Sequence, residues 1–262
     1  MGVRLEPYDA SSRSEMVALI EQDNPAMTHF RSSRFYDQAI DYILEGDGAL
    51  YFVVRDSESD EFLGECDVHD TREPEWEIGI KIVKAHWGEG VGYEALVDFL
   101  AEMRHRYGKS SLIAKVFPDS SASIGLFQKL GARPRRIELS EFMIDEDMAA
   151  RFREAHSNLV DDTVVEMAEL FGVEPAALLG NVLVFEVPTA QGEPVTPTSH
   201  SLNKGQGHAS GSSSLENAMR VFAAEEALVA LEGLQARQSR ERLADFIKRS
   251  IAEIRPGFGG NA

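Results

Sequence analysis

The hydrophobic positions change period several times along the first 188 residues, and each change marks an element. Residues 3–5 can start a strand that Pro7 ends, and residues 14–20 place Met16, Val17, Leu19 and Ile20 on a short helix. Ser32-Ser33 can cap a second helix in which Phe35, Ala39, Ile40, Ile43 and Leu44 repeat before Gly46. Residues 49–55 form a clear strand, residues 56–60 an acidic turn, and residues 62–69 the returning arm of a hairpin. Residues 75–83 are rich in β-branched side chains behind Pro74 and read as the next strand. Leu96, Phe99, Leu100 and Met103 then give a helix that stops near Tyr107-Gly108. A strand at 111–117 is closed by Pro118. The helix after it buries Ile124, Phe127 and Leu130 and ends at Gly131. Residues 135–139 read as a strand, 143–179 as helical, and 182–187 as a strand ending at Pro188.

Beyond that point the pattern changes. Residues 189–214 are Gly, Ser, Thr, Pro and Gln with almost no apolar side chains, the composition of a flexible linker. Residues 215–262 form a helical C-terminal appendage, with Met219, Phe222, Leu228, Leu231, Leu234, Leu243, Phe246, Ile247 and Ile251 on a face that needs covering. Some 40 residues cannot bury much alone, so residues 215–254 must dock on their own domain, on a second copy or on another protein.

Composition narrows the function classes. A 43% hydrophobic content supports an ordinary core, and no apolar run approaches the roughly 20 residues of a membrane span. The first residues carry no signal core, and the lone Cys66 fits a reducing compartment, so a cytoplasmic protein with no membrane partner is expected. Cys66 itself reads as a buried small hydrophobe. The formal net charge of −18 repels nucleic-acid backbone and suits an amine-bearing substrate, so no nucleic-acid partner is expected. A faint helix-turn-helix pattern at 168–178 is disfavoured by Asp161, Asp162, Glu166, Glu169 and Glu174 around it. The histidines and the cysteine show no metal-ligand spacing, so no metal is expected.

The most informative stretch is 75–96. A strand, then Trp87-Gly88-Glu89-Gly90-Val91-Gly92, then a helix start make an anion site, because unpaired N–H groups and the helix dipole converge there. The loop lacks the Gly-Lys-Ser/Thr of a P-loop, and its third glycine comes too soon for a dinucleotide fingerprint. Trp-Gly-x-Gly-x-Gly-x-Glu-Ala-Leu resembles the acetyl-coenzyme A loop of GNAT-fold N-acetyltransferases, and more narrowly the branch of ribosomal-protein N-terminal acetyltransferases, including the ribosomal-protein-alanine type. A second stretch resembles the same family, whose pattern is Asn-x-x-Ser followed by Lys-Leu-Gly-Phe. Ser123 and Lys129-Leu130-Gly131 match it, while Ser120 replaces the Asn and Ala132 the aromatic.

The resemblance implies an α/β GNAT fold over residues 1–188: a mixed central sheet flanked by helices, with a helical insertion at about 143–179 before the closing strand. It implies acetyl-coenzyme A as co-substrate, held by Ile80, Ile82, Trp87, Gly88, Gly90, Val91, Gly92, Ser120, Ser123, Phe127 and Lys129. Acetyl transfer to an amine needs a base, a polarised carbonyl and a proton for the leaving thiolate. Glu77 on the central strand is the candidate base, with a pKa expected to be raised in a partly dry groove. Backbone N–H groups around residues 80–83 would polarise the carbonyl. Many members protonate the thiolate with a tyrosine, and Phe127 at the matching position cannot donate, so Ser123 is the substitute candidate. His69 and His86 can act as bases too, but stand at strand ends where incidental histidines are common. The expected function is acetyl transfer to a primary amine of a protein N-terminus, a polyamine or an aminoglycoside-like molecule. The alternative is a non-catalytic acetyl-coenzyme A-binding or protein-interaction module that uses the C-terminal helices.

Overall fold

The computed structural model describes residues 2–33, 36–190 and 213–232. Phe35, most of the expected linker and the appendage beyond residue 232 lie outside the described residues. The chain groups into two compact units that do not follow its order. Of the described residues, one holds 2–33, 36–116, 121–136 and 184–190, the other 117–120, 137–183 and 213–232.

In the first unit, strands β1 (Val3–Pro7), β2 (Leu50–Asp56), β3 (Phe62–Val68) and β4 (Ile78–Ile82) form an antiparallel sheet in sequence order. The β2–β3 and β3–β4 pairs are close in the chain, whereas β1 reaches β2 across two helices; in the β3–β4 pair Glu65 stands opposite Lys81, Cys66 opposite Ile80 and Asp67 opposite Gly79. Helices α1 (Arg13–Asp23) and α2 (Tyr36–Glu45) cover one face, where Met16, Tyr36, Ile40 and Leu44 pack with Val53. A buried carboxylate fixes the two helices: Glu21 accepts hydrogen bonds from Arg31 Nε (2.6 Å) and Tyr36 Oη (2.6 Å). Helix α3 (Val91–Tyr107) covers the other face, with Phe99 edge-on to Phe52 at 5.5 Å. Gly108, at φ 66°, ends α3 in the left-handed conformation that glycine adopts without a Cβ clash. Cys66 is buried between the layers, as its sequence context suggests.

Strand β5 (Ser111–Val116) begins a second sheet, of order β5–β7–β6, with β6 at Arg133–Leu139 and β7 at Asn181–Pro188. Helix α4 (Ser121–Lys129) connects β5 to β6. The expected insertion falls between the neighbouring strands β6 and β7.

That insertion and the described part of the appendage share the second unit. Helix α5 (Glu146–Ala155) is capped by Asp145, which accepts the Met148 N–H at 2.8 Å, and α6 (Asp162–Phe171) by Asp161, which accepts the Val164 N–H at 2.8 Å. Helix α7 (Ser214–Glu232) buries Leu215, Ala218 and Met219 against Met143, Met148, Ala149, Phe152 and Leu179. Its buried positions recur at three- and four-residue steps, the stripe of an amphipathic helix. The start of the appendage therefore docks on its own chain. The helix-turn-helix pattern does not form: after Gly172 the chain makes only a four-residue 3-10 turn at Pro175–Leu178 and enters β7, too short for a recognition helix.

Candidate active site

Among the described residues, one isolated backbone bridge joins the two sheets. Glu77 and Ile113 make an isolated parallel bridge, with the Ile113 N–H donating to Trp76 O at 2.9 Å. Beyond it, among the described residues, β4 is paired only with β3. Glu77 O and the Val83 N–H bond toward β3, so in the alternating antiparallel ladder the even positions, Ile80 among them, turn their N–H and C=O toward the parted edge. The expected splay of the central strand is present, and it begins at Glu77.

The side chains of β4 alternate as well. Ile80 and Ile82 face the α3 side, where a Cβ built on Gly92 would touch Ile80 Cδ1 (3.5 Å), Ile82 Cγ1 (3.7 Å) and Leu126 Cδ2 of α4 (3.7 Å). The fold thus brings Ile80, Ile82, Gly92 and α4 together. The loop before α3 is pinned by Trp87, whose Nε1 donates to Ile82 O at 2.8 Å; Gln22 Nε2 donates to the same oxygen at 3.2 Å. Gly88 (φ 80°) and Gly90 (φ 87°) take left-handed conformations that would strain any other residue, and the space over each is open to beyond 4 Å. The N–H groups of Tyr93 and Glu94 both donate to Gly90 O. The amides of Gly88–Gly92 find no acceptor among the described residues. A pyrophosphate fits such a cradle: backbone donors, a helix N-terminus and no Cβ in the way.

The other candidates for holding the co-substrate are more dispersed. Ser123 is half-buried in the first turn of α4, Lys129 is exposed at its end, and Val91 is buried at the start of α3. Phe127 is 5% exposed and packs in the core. Ser120 belongs to the second unit, where its N–H donates to Phe117 O at 3.0 Å.

On the α1–α2 side, β3 and β4 carry a network of charges. Glu65 (2% exposed) accepts from Lys81 Nζ at 2.8 Å. His69 lies between two carboxylates, with Nε2 3.3 Å from Asp67 Oδ2 and Nδ1 3.2 Å from Glu77 Oε1. Lys115 Nζ, from β5, reaches Glu77 Oε2 at 3.0 Å across the parting of the sheets. Burial pushes the Glu65 carboxyl up to about 7, whereas the neighbouring carboxylate of Glu65 raises Lys81. The hydrogen bond to Glu77 and the charge of Asp67 outweigh burial and raise His69 to about 9. Burial alone would raise Glu77, as expected from the sequence, but His69 and Lys115 overcome it and leave its carboxyl below the usual range. The sequence reading of a raised Glu77 pKa is thereby corrected: it treated the carboxylate as alone.

Glu75, two residues earlier, is held by Arg135 and by Arg136 Nη2 (2.7 Å), so of the two acids only Glu77 faces the network. His69, set aside as incidental, is central to it. Its backbone N–H donates to Glu77 O at 3.1 Å, and the hairpin register that makes these residues partners was the available signal.

The family model described as an acetyltransferase (GNAT) domain matches residues 3–133, half of the chain. The uncharacterized protein YkkB of Bacillus subtilis is 25% identical over 141 residues, 49% of this chain and 80% of that protein. Among solved structures, spermidine/spermine N-acetyltransferase SpeG from Vibrio cholerae superposes with a TM-score of 0.47 at 12% identity, covering 72% of this chain and 93% of that one. A candidate ribosomal-protein-serine acetyltransferase from the same organism gives 0.44 at 16% identity, covering 72% and 94%. With its glycine loop, its parted β4 edge and this match, the chain belongs to the GNAT acetyltransferase domain family and is an acyltransferase.

Proposed function

We propose that the protein transfers an acetyl group from acetyl-coenzyme A directly to a primary amine. The observation that carries this reading is the geometry of β4. Ile80 and Ile82 face the glycine loop on one side of β4, Glu77 just before the strand lies on the other side, and beyond Glu77 the strand's outer edge is unpaired among the described residues. A thioester held by the loop and an amine arriving on the Glu77 side would meet only at that edge.

Bound acetyl-coenzyme A supplies the acyl group as an activated thioester. The amides of residues 88–92 bind its pyrophosphate, and the Ile80 N–H at the parted edge is placed to polarise a carbonyl oxygen. The group containing Glu77 and His69 removes the proton of the incoming ammonium, since only the free amine is nucleophilic. Ser123, at the start of α4, is the proton donor to the departing thiolate. The acceptor is a protein N-terminus, a polyamine or an aminoglycoside-like amine. The two sequence motifs favour the ribosomal-protein type of acceptor.

The test is thiol release from acetyl-coenzyme A against a panel of peptide amides, diamines and aminoglycosides. Turnover with at least one is expected. Tight acetyl-coenzyme A binding without turnover on any acceptor would favour the non-catalytic module.

A further inference from the structure

Within the proposed acetyl transfer, on which this inference rests, Glu77 is poorly matched to its task. Both its oxygens are engaged, Oε1 by His69 and Oε2 by Lys115, and these cations hold it ionised. An ordinary carboxylate near 4 facing an alkylammonium near 10 already works against an equilibrium deficit of about six powers of ten, and His69 and Lys115 push Glu77 further in the wrong direction. An efficient base has a pKa closer to that of the proton donor and to the working pH.

We propose that Asp67, His69 and Glu77 form a proton relay in which Glu77 meets the acceptor nitrogen and His69 takes the proton onward. The geometry assigns the roles. Asp67 is 1% exposed and its Oδ2 lies 3.3 Å from His69 Nε2, while Nδ1 lies 3.2 Å from Glu77 Oε1; in the relay Asp67 holds the proton of the neutral ring on Nε2, so that Nδ1 is the nitrogen that accepts from Glu77. In the transfer step an N–H bond of the acceptor ammonium breaks and an O–H bond forms at Glu77. That O–H then breaks as N–H forms at His69 Nδ1, giving imidazolium between two carboxylates. The His69 side chain is 51% exposed, so the proton leaves to water from there. Glu77 ends each cycle ionised, and its carboxylate is only a transit point.

The groups around His69 come from every neighbouring strand: Glu65 and Asp67 on β3, Lys81 on β4 and Glu77 just before it, Lys115 on β5 through Glu77, and Tyr51 on β2 opposite Asp67. Lys81 and Lys115 oppose the carboxylates, and the acids nearest the ring prevail, raising it to about 9. That value is far better matched to an amine than the carboxylate of Glu77. Asp67 acts through His69 and is a positioning residue.

The experiment uses the full chain. The His69 ring signals are followed by NMR against pH in the parent, in Asp67→Asn and in Glu77→Gln, and thiol release is measured against pH for the parent and His69→Gln with the best acceptor of the panel, corrected for the acceptor's own ionisation. The expected results are a His69 titration near 9 that falls toward its ordinary value in both variants, and a His69→Gln enzyme with kcat lower by roughly 10²–10³-fold, its alkaline limb lost and its KM for acetyl-coenzyme A kept. A His69→Gln enzyme with the parent's kcat and pH profile overturns the relay, as does a His69 titration indifferent to Glu77→Gln. Because Asp67 is buried, Asp67→Asn can fail to fold; Glu77→Gln and His69→Gln, at more exposed positions, then decide alone. A parent that releases no thiol with any amine sinks the acetyltransferase reading and the relay together. An active parent with a silent His69→Gln sinks the relay only.

Discussion

Gly79 stands opposite Asp67 in the β3–β4 ladder, and the Asp67 carboxylate fills the space a side chain would take there. A Cβ on Gly79 would lie 2.0 Å from Asp67 Oδ1 and 3.0 Å from His69 Nε2. The backbone of Gly79 is not in a left-handed conformation, so room alone demands the glycine. Gly79→Ala is expected to displace Asp67, move the His69 titration toward 6.5 and lower turnover. Circular dichroism and thermal melting should show a folded, less stable protein. An alanine variant with unchanged titration and turnover would mean that the carboxylate has no fixed role.

Gly90→Val tests the loop from the opposite side. The space over Gly90 is open, so the fold pays only the cost of a left-handed conformation for a non-glycine residue, about 1–2 kcal/mol. Calorimetry should show acetyl-coenzyme A binding lost in a protein that still melts cooperatively. Undiminished binding would remove the loop from the site.

Glu77→Gln should lower kcat by about 10²–10⁴-fold while acetyl-coenzyme A affinity is kept. Ser123→Ala should cost less, because a thiolate is already a tolerable leaving group. A Gln variant as active as the parent at every pH would take Glu77 out of the chemistry.

The raised pKa of His69 also makes a statement about stability. Above its ordinary pKa of 6.5 the unfolded chain has released the proton that the folded chain keeps up to about 9. Its contribution is thus fully present below 6.5 and is lost as pH rises through 9. Denaturant midpoints of the parent should fall across that window relative to those of His69→Gln, and parallel curves for the two proteins would contradict the assignment.

Much of this was legible in the sequence and some was not, for physical reasons. The strands and helices follow from periodicity, and the glycine loop from its wording, because both are local. Residues 64–68 alternate apolar with acidic side chains, a pattern that suits a strand with one face in water. Only the register of β2 and β4, together with α1 and α2 above, buries Glu65 and Asp67. Glu77 was singled out from the motif, but its pKa direction depended on Lys115, 38 positions away, and on a hairpin partner. Likewise, residues 215–223 showed an apolar stripe with no indication of which surface would cover it.

That surface supplies a further prediction. Met219 is buried against the α5 side chains, so Met219→Ala should cost about 2–5 kcal/mol in a chemical melt. Deleting everything after Pro188 should expose Met148 and Phe152, raise aggregation, and leave measurable acetyl transfer. Complete loss of transfer in a truncated protein that still folds and binds acetyl-coenzyme A would put the appendage in the acceptor site.

The docking of α7 also imposes an order on biosynthesis. The core around Phe152 needs Leu215 and Met219, which leave the ribosome well after the strand that ends the insertion. At the usual elongation rates of about 5–20 residues per second, the intervening stretch takes on the order of 2–7 s to emerge. For that interval the nascent chain presents Met143, Met148 and Phe152 to the surrounding cell, where a holdase chaperone could bind them. Helix α7, made after the insertion, is the element that withdraws this surface.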